Sequence, residues 1–168
     1  SAILRLDHRG RLAAMQTVSG DSLLPEKMEP QPFVQLAKDG RMMAPVSCSA
    51  AENQLHFTFE NGGELDISFQ EKDGYAVFVA ERITDEGDAL EFGPYFTSLT
   101  DEIGDVIGVV QGGKWAVGVQ SLNPKTIAGY PAEYADTASE YVGKGPVSEI
   151  SVGPMNYINS AAFTAQYN

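Results

Sequence analysis

The chain has 168 residues, 43% of them hydrophobic, and carries 11 basic against 23 acidic side chains, a formal net charge of −12. This length predicts one domain that can bury a core without cross-links. No apolar run approaches the roughly 20 residues of a membrane-spanning helix. Phosphate backbones need clustered Lys and Arg, and the basic residues here are scattered singly. Nucleic acid and anionic lipid surfaces are therefore excluded as expected partners.

The first third of the chain alternates short apolar runs with turn residues. Asp7-His-Arg-Gly10 and Asp39-Gly40 are typical turn sequences. Three prolines interrupt residues 19–32, and because Pro cannot serve a central ladder, this segment is predicted to be a loop. The strands predicted between these turns are residues 2–6, 12–15, 33–38 and 41–44.

The clearest pattern lies between residues 55 and 82. Leu55, Phe57 and Phe59 alternate with polar residues, and the alternation resumes in the next run after Asn61-Gly-Gly63. A third run follows Asp73-Gly74. A period of two indicates strands with one buried and one wet face, and the Gly-rich breaks indicate tight reversals. The sequence therefore predicts an antiparallel meander.

The second half of the chain has more turn residues. Residues 93–104 are predicted to form a loop with one helical turn at 101–103, and residues 132–141 a short helix. Gln111-Gly-Gly-Lys114 predicts a hairpin turn. The strands predicted here are residues 89–92, 106–110, 115–120, 147–152 and 161–165.

About ten short strands with almost no helix predict an all-β antiparallel sandwich. Residues 1–168 are expected to form one such domain, as a piece of a larger multidomain protein. The side chains expected in its core are Phe57, Phe59, Ile67, Phe69, Val77, Trp115 and Val117.

Catalytic and metal chemistry find little support in the residue pattern. The only two histidines, His8 and His56, lack a neighbouring orienting group, so a Ser-His-Asp arrangement is not indicated. Cys48 is the only cysteine; it lies in a strand and is read as a small core residue. The acidic run at 85–91 does not match a calcium loop. We expect no catalytic residue, no metal and no cofactor.

Two groups of residues are candidates for ligand binding. Asp101 and Glu102 belong to an acidic cluster, although Thr100 followed by acids is also typical of a helix cap. Tyr95, Tyr130 and Tyr134 fall in predicted loops, where rings could stack on sugars or anchor the rim of the sandwich. Both interpretations of each group stay open at the level of sequence.

The segments that begin Phe92-Gly-Pro-Tyr95 and Trp115-Ala-Val-Gly118, with the opening Ile3-Leu-Arg-Leu-Asp7, carry a family resemblance. They resemble the N-terminal β-sandwich of large, secreted, glycoside-hydrolase-like proteins of gut Bacteroidetes. Such domains are similar to the galactose-mutarotase-like supersandwich that precedes a catalytic barrel. The resemblance covers residues 3–131.

The resemblance implies a secreted, periplasmic or cell-surface accessory domain without activity of its own. Its implied partner is a catalytic module on the same polypeptide, with an oligo- or polysaccharide as a further contact. An autonomous carbohydrate-binding module is the alternative. An aldose epimerase is a second alternative, but no histidine here matches the catalytic histidine of mutarotases.

Overall fold

The structure is a computed structural model that describes residues 2–84, 87, 89–103, 108–122, 126–128, 148–155 and 162–167. These residues contain strands and no helix. The fifteen strands are β1 (Ala2–Leu6), β2 (Leu12–Thr17), β3 (Val34–Lys38), β4 (Arg41–Met43), β5 (Pro45–Ala51), β6 (Gln54–Phe59), β7 (Glu64–Lys72), β8 (Tyr75–Ile83), β9 (Ala89–Thr97), β10 (Glu102–Ile103), β11 (Gly108–Gly112), β12 (Trp115–Ser121), β13 (Thr126–Ala128), β14 (Ser148–Met155) and β15 (Ala162–Tyr167).

The strands form two large antiparallel sheets and one small hairpin. The eight-stranded sheet has the order β10-β11-β12-β15-β8-β7-β6-β5, and the five-stranded sheet has the order β13-β14-β9-β3-β4. Strands β1 and β2 pair only with each other. The all-β, antiparallel, sandwich-like architecture predicted from the sequence is confirmed.

The core lies between the two large sheets, and Phe33 is at its centre. The Phe33 ring contacts Phe57 and Phe78 of the larger sheet, with centroids 6.3 Å and 5.0 Å away. It also contacts Phe92 and Tyr95 of the smaller sheet, at 5.9 Å and 5.7 Å. Aromatic pairs at these separations add attraction beyond the area they bury. One aromatic residue therefore links the two layers.

The expected core is confirmed in most positions. Four of the expected side chains are at most 2% exposed, namely Phe57, Phe59, Ile67 and Val117. Phe69 and Trp115 are partly buried and pack against this cluster.

The expected burial of Val77 is wrong. In β8 the neighbouring Phe78 is the residue that points inward, at 9% exposure, while Val77 pairs with the exposed Gln70. Residues 75–80 are apolar on both faces of the strand, so the sequence does not show which face is buried. The pairing of Phe69 with Phe78 across the hairpin fixes which face is buried.

Two expectations for residues 93–103 are also wrong. Strand β9 does not end before Gly93 but continues to Thr97. Residues 102 and 103 form strand β10, antiparallel to β11, where a helical turn was expected. The helix expected at residues 132–141 lies outside the described residues.

No helix among the described residues is long and apolar enough to cross a membrane.

Candidate binding cleft

A cleft of about 710 Å³ opens at one end of the sandwich, between β1 and the end of the larger sheet. We call it the end cleft. Its floor is formed by Leu55, Phe69 and Phe78, and its facing wall by Leu4 and Leu6 of β1. Small-molecule sites are typically concave, largely apolar and of this size. The end cleft is therefore the candidate binding site.

The apolar floor follows directly from the strand alternation. Leu65, Ile67 and Phe69 of β7 all point toward the core, and Phe78 of β8 is the cross-strand partner of Phe69. Their ring centroids are 6.2 Å apart. Ala76, two positions before Phe78 on the same face of β8, also lines the cleft. Because its side chain is small, the space above these rings stays open.

The rim of the end cleft is polar and carries charges of both signs. Glu71, Lys72 and Tyr75 reach it from the hairpin between β7 and β8, and His8 reaches it from the turn after β1. Glu71, Lys72 and His8 are exposed, and Tyr75 is half-buried. The rim offers hydrogen-bond donors and acceptors around an apolar interior.

The turn between β1 and β2 closes one side of the end cleft. The Asp7 side chain accepts hydrogen bonds through Oδ1 from the backbone N–H groups of Arg9 and Arg11, both at 2.9 Å. The carbonyl of His8 accepts a 2.7 Å hydrogen bond from the Cys48 N–H of β5. Asp7 thus shapes the turn, and the turn ties the small hairpin to the larger sheet.

Cys48 lines the end cleft and is partly buried. Burial, together with the negative charge of Asp7, raises the pKa of its thiol to about 11. The thiolate is the reactive form of cysteine, and at neutral pH this thiol stays protonated. Cys48 therefore contributes to the cleft as a small, weakly polar wall residue.

A second polar cluster lies on the outer face of the larger sheet, away from the cleft. The His56 Nδ1 is 2.6 Å from Asp66 Oδ1, and Arg82 donates through Nε to Asp66 Oδ2 at 2.6 Å. Arg82 Nη2 also donates to Glu64 at 3.1 Å. Since the Asp66 carboxylate accepts, His56 Nδ1 carries the proton.

Sequence reasoning missed the pairing of His56 with Asp66. Residues equally far before and after Asn61 oppose each other in this hairpin, and His56 and Asp66 are such cross-strand partners. Burial raises the pKa of the Asp66 carboxyl, but the hydrogen bonds from His56 and Arg82 outweigh this and lower the pKa below its ordinary value.

The expected loop position of Tyr95 is wrong. Tyr95 lies within β9, is 7% exposed, and donates a 2.6 Å hydrogen bond from its hydroxyl to the carbonyl of Phe33. Burial, with a smaller effect from Glu91, raises the pKa of Tyr95 well above its ordinary value of 10.0. The ring is part of the core and has no free face for stacking on a sugar.

Asp101 and Glu102 lie at the far end of the larger sheet, beside β11. Both are exposed. Asp101 Oδ2 accepts a 2.7 Å hydrogen bond from the Gly113 N–H, and the Asp101 N–H donates to the Gln111 carbonyl at 2.9 Å. The helix cap expected at Thr100 is therefore wrong: residues 102 and 103 form a strand, and Asp101 instead binds the turn between β11 and β12. Tyr130 and Tyr134 lie outside the described residues.

The structure does not bring these sequence-derived candidates together. The end cleft is lined by none of Tyr95, Asp101 and Glu102. Its residues come from β1 and the turn after it, from Phe33, from β5 and β6, and from the β7–β8 hairpin. Among the described residues, no group of three or more His, Cys, Asp or Glu side chains is placed to hold a metal ion.

Comparison with known proteins finds no matching protein family, no matching curated protein and no matching solved structure.

Proposed function

We propose that this chain is a non-catalytic accessory β-sandwich domain of a carbohydrate-processing protein, contributing binding and not bond-breaking chemistry. Its sequence resemblance to sandwich domains of glycoside-hydrolase-like proteins motivates the carbohydrate context. The observation that carries the binding role is the end cleft, with an apolar floor and a rim of mixed charge.

In the accessory role, a catalytic module on the same polypeptide would dock on the rim of the end cleft. Interfaces between domains have an apolar centre and a polar, hydrated edge. The end cleft has the same arrangement, since Phe69 and Phe78 lie at its floor and Glu71 and Lys72 at its edge. A loop of the module would contact this polar edge, and the apolar floor would stay open to a small ligand.

The second candidate function is an autonomous carbohydrate-binding module. The observation that favours it is the Tyr75 ring, which is half-buried at the rim of the end cleft. Lys72, Gly74 and Ala76, its near neighbours in sequence, line the cleft as well. A tyrosine in such a position can stack on the apolar face of a sugar. Neighbouring Glu71 and Lys72 would then bind its hydroxyl groups.

Catalytic assays test the non-catalytic role directly. We expect the chain to release no aryl group from nitrophenyl glycosides and to leave the polarimetric mutarotation rate of glucose and galactose unchanged. Hydrolysis or mutarotation above the buffer rate, lost in His56→Ala or Asp101→Asn, would overturn the proposal. His56→Ala tests the cluster of His56, Asp66 and Arg82 as the source of any activity, and Asp101→Asn tests the acidic residues beside β11.

A glycan array separates the two candidate functions. An autonomous module would bind specific glycans, lose them in Tyr75→Ala and keep them in Tyr75→Phe, which preserves the ring. Silence of the unmodified chain across the array would remove the autonomous module and favour docking on a catalytic module. Specific binding that Tyr75→Ala leaves intact would contradict the assignment of the end cleft.

A further inference from the structure

We propose that the end cleft binds the apolar part of a neutral amphiphile, such as the alkyl or aryl group of a glycoside, and holds its hydroxyl-rich head at the rim. This inference deepens the proposed function and rests on its binding role. It does not depend on whether the head group is a sugar that the parent protein processes.

The first support is the chemistry of the cleft floor. The side chains of Leu55, Phe69 and Phe78 are hydrocarbon, and so are those of Leu4 and Leu6, which also line the cleft. A hydroxyl group moved from water onto such a surface without a hydrogen bond is destabilised. A methylene group is stabilised by the same burial. The floor therefore selects alkyl or aryl groups over sugar rings.

The second support is the size and shape of the space. A volume of about 710 Å³ exceeds what a single methyl or isopropyl group would fill, and lies within the range of about 300–1,000 Å³ that is usual for small-molecule sites. The cleft runs between β1 and the inner face of the larger sheet.

The third support is the charge at the rim. Glu71 and Lys72 are adjacent and of opposite sign, and both line the cleft. The chain as a whole carries a formal charge of −12, which disfavours the approach of an anionic head group. A hydroxylated neutral head can bind the Tyr75 hydroxyl and the two charged side chains at once. Fatty acids are therefore the weaker class of ligand.

Fluorescence of N-phenyl-1-naphthylamine, a neutral apolar probe, tests the site. We expect saturable enhancement with the unmodified chain. Ala50 is exposed at the mouth of the cleft, whereas Ala51 is exposed on the opposite face of β5. Ala50→Trp should fill the mouth and weaken probe binding by about tenfold or more, while the matched Ala51→Trp should leave it unchanged. Equal binding by both variants would overturn the assignment.

The single cysteine supplies a readout that needs no variant. Methyl methanethiosulfonate, a small neutral reagent, modifies Cys48 at a rate set by access and thiolate fraction. Saturating probe should slow this reaction at constant pH, because Cys48 lines the same cleft. An unchanged rate under saturating probe would show that the probe binds elsewhere and would overturn the proposal even if Ala50→Trp failed to fold.

Displacement of the probe identifies the head group. Decyl β-glucoside, kept below its critical micelle concentration, should displace the probe at a concentration at least about tenfold lower than decanoate does. Free glucose should displace none. Equal or stronger displacement by decanoate would overturn the neutral-head assignment. Displacement by decyl glucoside together with a silent glycan array would sustain this inference while removing the autonomous carbohydrate-binding module.

Discussion

Gly10 brings the turn between β1 and β2 into direct contact with the core. Its φ of +72° lies in the left-handed region that favours glycine, and a Cβ atom there would lie 2.6 Å from Phe57 Cε1 and 3.2 Å from Cys48 Cβ. Phe57 is fully buried and stacked with Phe33, so its ring cannot move aside freely. The residue therefore has both a conformational and a steric reason to be glycine.

Gly10→Ala should consequently destabilise the chain by about 2–5 kcal/mol, combining left-handed strain with overpacking. Gly40→Ala is the matched control, because Gly40 has a φ of +71° and no atom within 4 Å of the added Cβ. The control should lose only about 1–2 kcal/mol, the cost of the strain alone. Urea unfolding measures both, and equal losses would show that the contact with Phe57 is relieved at little cost.

Asp66 gives the chain a defined pH dependence. Its pKa is lowered from the ordinary 3.8 because the hydrogen bonds from His56 and Arg82 outweigh burial. A lowered pKa in the folded state means that the stabilisation is complete well above pH 3.8 and is lost as the pH falls through the folded-state pKa. The window of the loss therefore lies in acid, below the ordinary value.

Asp66→Asn should be less stable than the unmodified chain near neutral pH by of order 0.5–1 kcal/mol, the range for partly exposed ion pairs. The difference should shrink in acid as the carboxyl of the unmodified chain becomes protonated. Ser68→Ala, on the same strand face and hydrogen-bonded to Glu81, is the control for a general polar deletion. A gap that stays constant from neutral pH into acid would contradict the assigned role of the carboxylate.

At the scale of elements, alternation was enough to predict β6 and β7. Their polar and apolar residues alternate cleanly around Asn61-Gly-Gly63, and the observed register pairs Leu55 with Ile67. The first part of β9, residues 89–92, was predicted, but its continuation to Thr97 could not be because Gly93 and Pro94 interrupt the strand. Gly93 adopts a φ of +97° and Pro94 has no N–H, so the strand is irregular but still pairs with β3 and β14.

The end cleft could not be predicted from sequence at all. Its residues come from segments far apart in the chain, from Ala2 to Phe78, and nothing in the sequence of either segment indicates that it contacts the other. The local patterns do predict that Phe69 faces inward and that Asp73-Gly74 forms a turn. They do not predict the position of the β1–β2 hairpin, because that position depends on the hydrogen bond from the Cys48 N–H to the His8 carbonyl.

The continuation of β9 makes Tyr95 a structural residue. Tyr95→Phe removes the hydrogen bond to the Phe33 carbonyl, which retains a second one from the Gly93 N–H at 3.2 Å. We expect a loss of about 1 kcal/mol in the free energy of unfolding and no change in ligand binding. Tyr75→Phe, at the rim of the cleft, is the control and should be within about 0.5 kcal/mol of the unmodified chain. Loss of ligand binding in Tyr95→Phe alone would contradict this structural role and assign the Tyr95 hydroxyl a part in binding.

At the scale of the whole molecule, stability and binding depend on different parts of the sandwich. The aromatic cluster around Phe33 joins the sheets, while the small β1–β2 hairpin covers one end and leaves a gap above Phe69 and Phe78. The outer-face cluster of His56, Asp66 and Arg82 is satisfied within itself. The account therefore places binding at one end of the sandwich and structural ion pairs on its outer face.

Amide chemical-shift mapping tests this central claim most directly. The ¹H–¹⁵N spectrum of the chain would be recorded during a titration with decyl β-glucoside below its critical micelle concentration. We predict shifts confined to the residues around the end cleft, above all Leu4, His8, Ala50 and Gly74 to Ala76. Shifts centred on Ser68 and Arg82 of the outer face, or on Asp101 and Glu102, or no shifts at all, would contradict it.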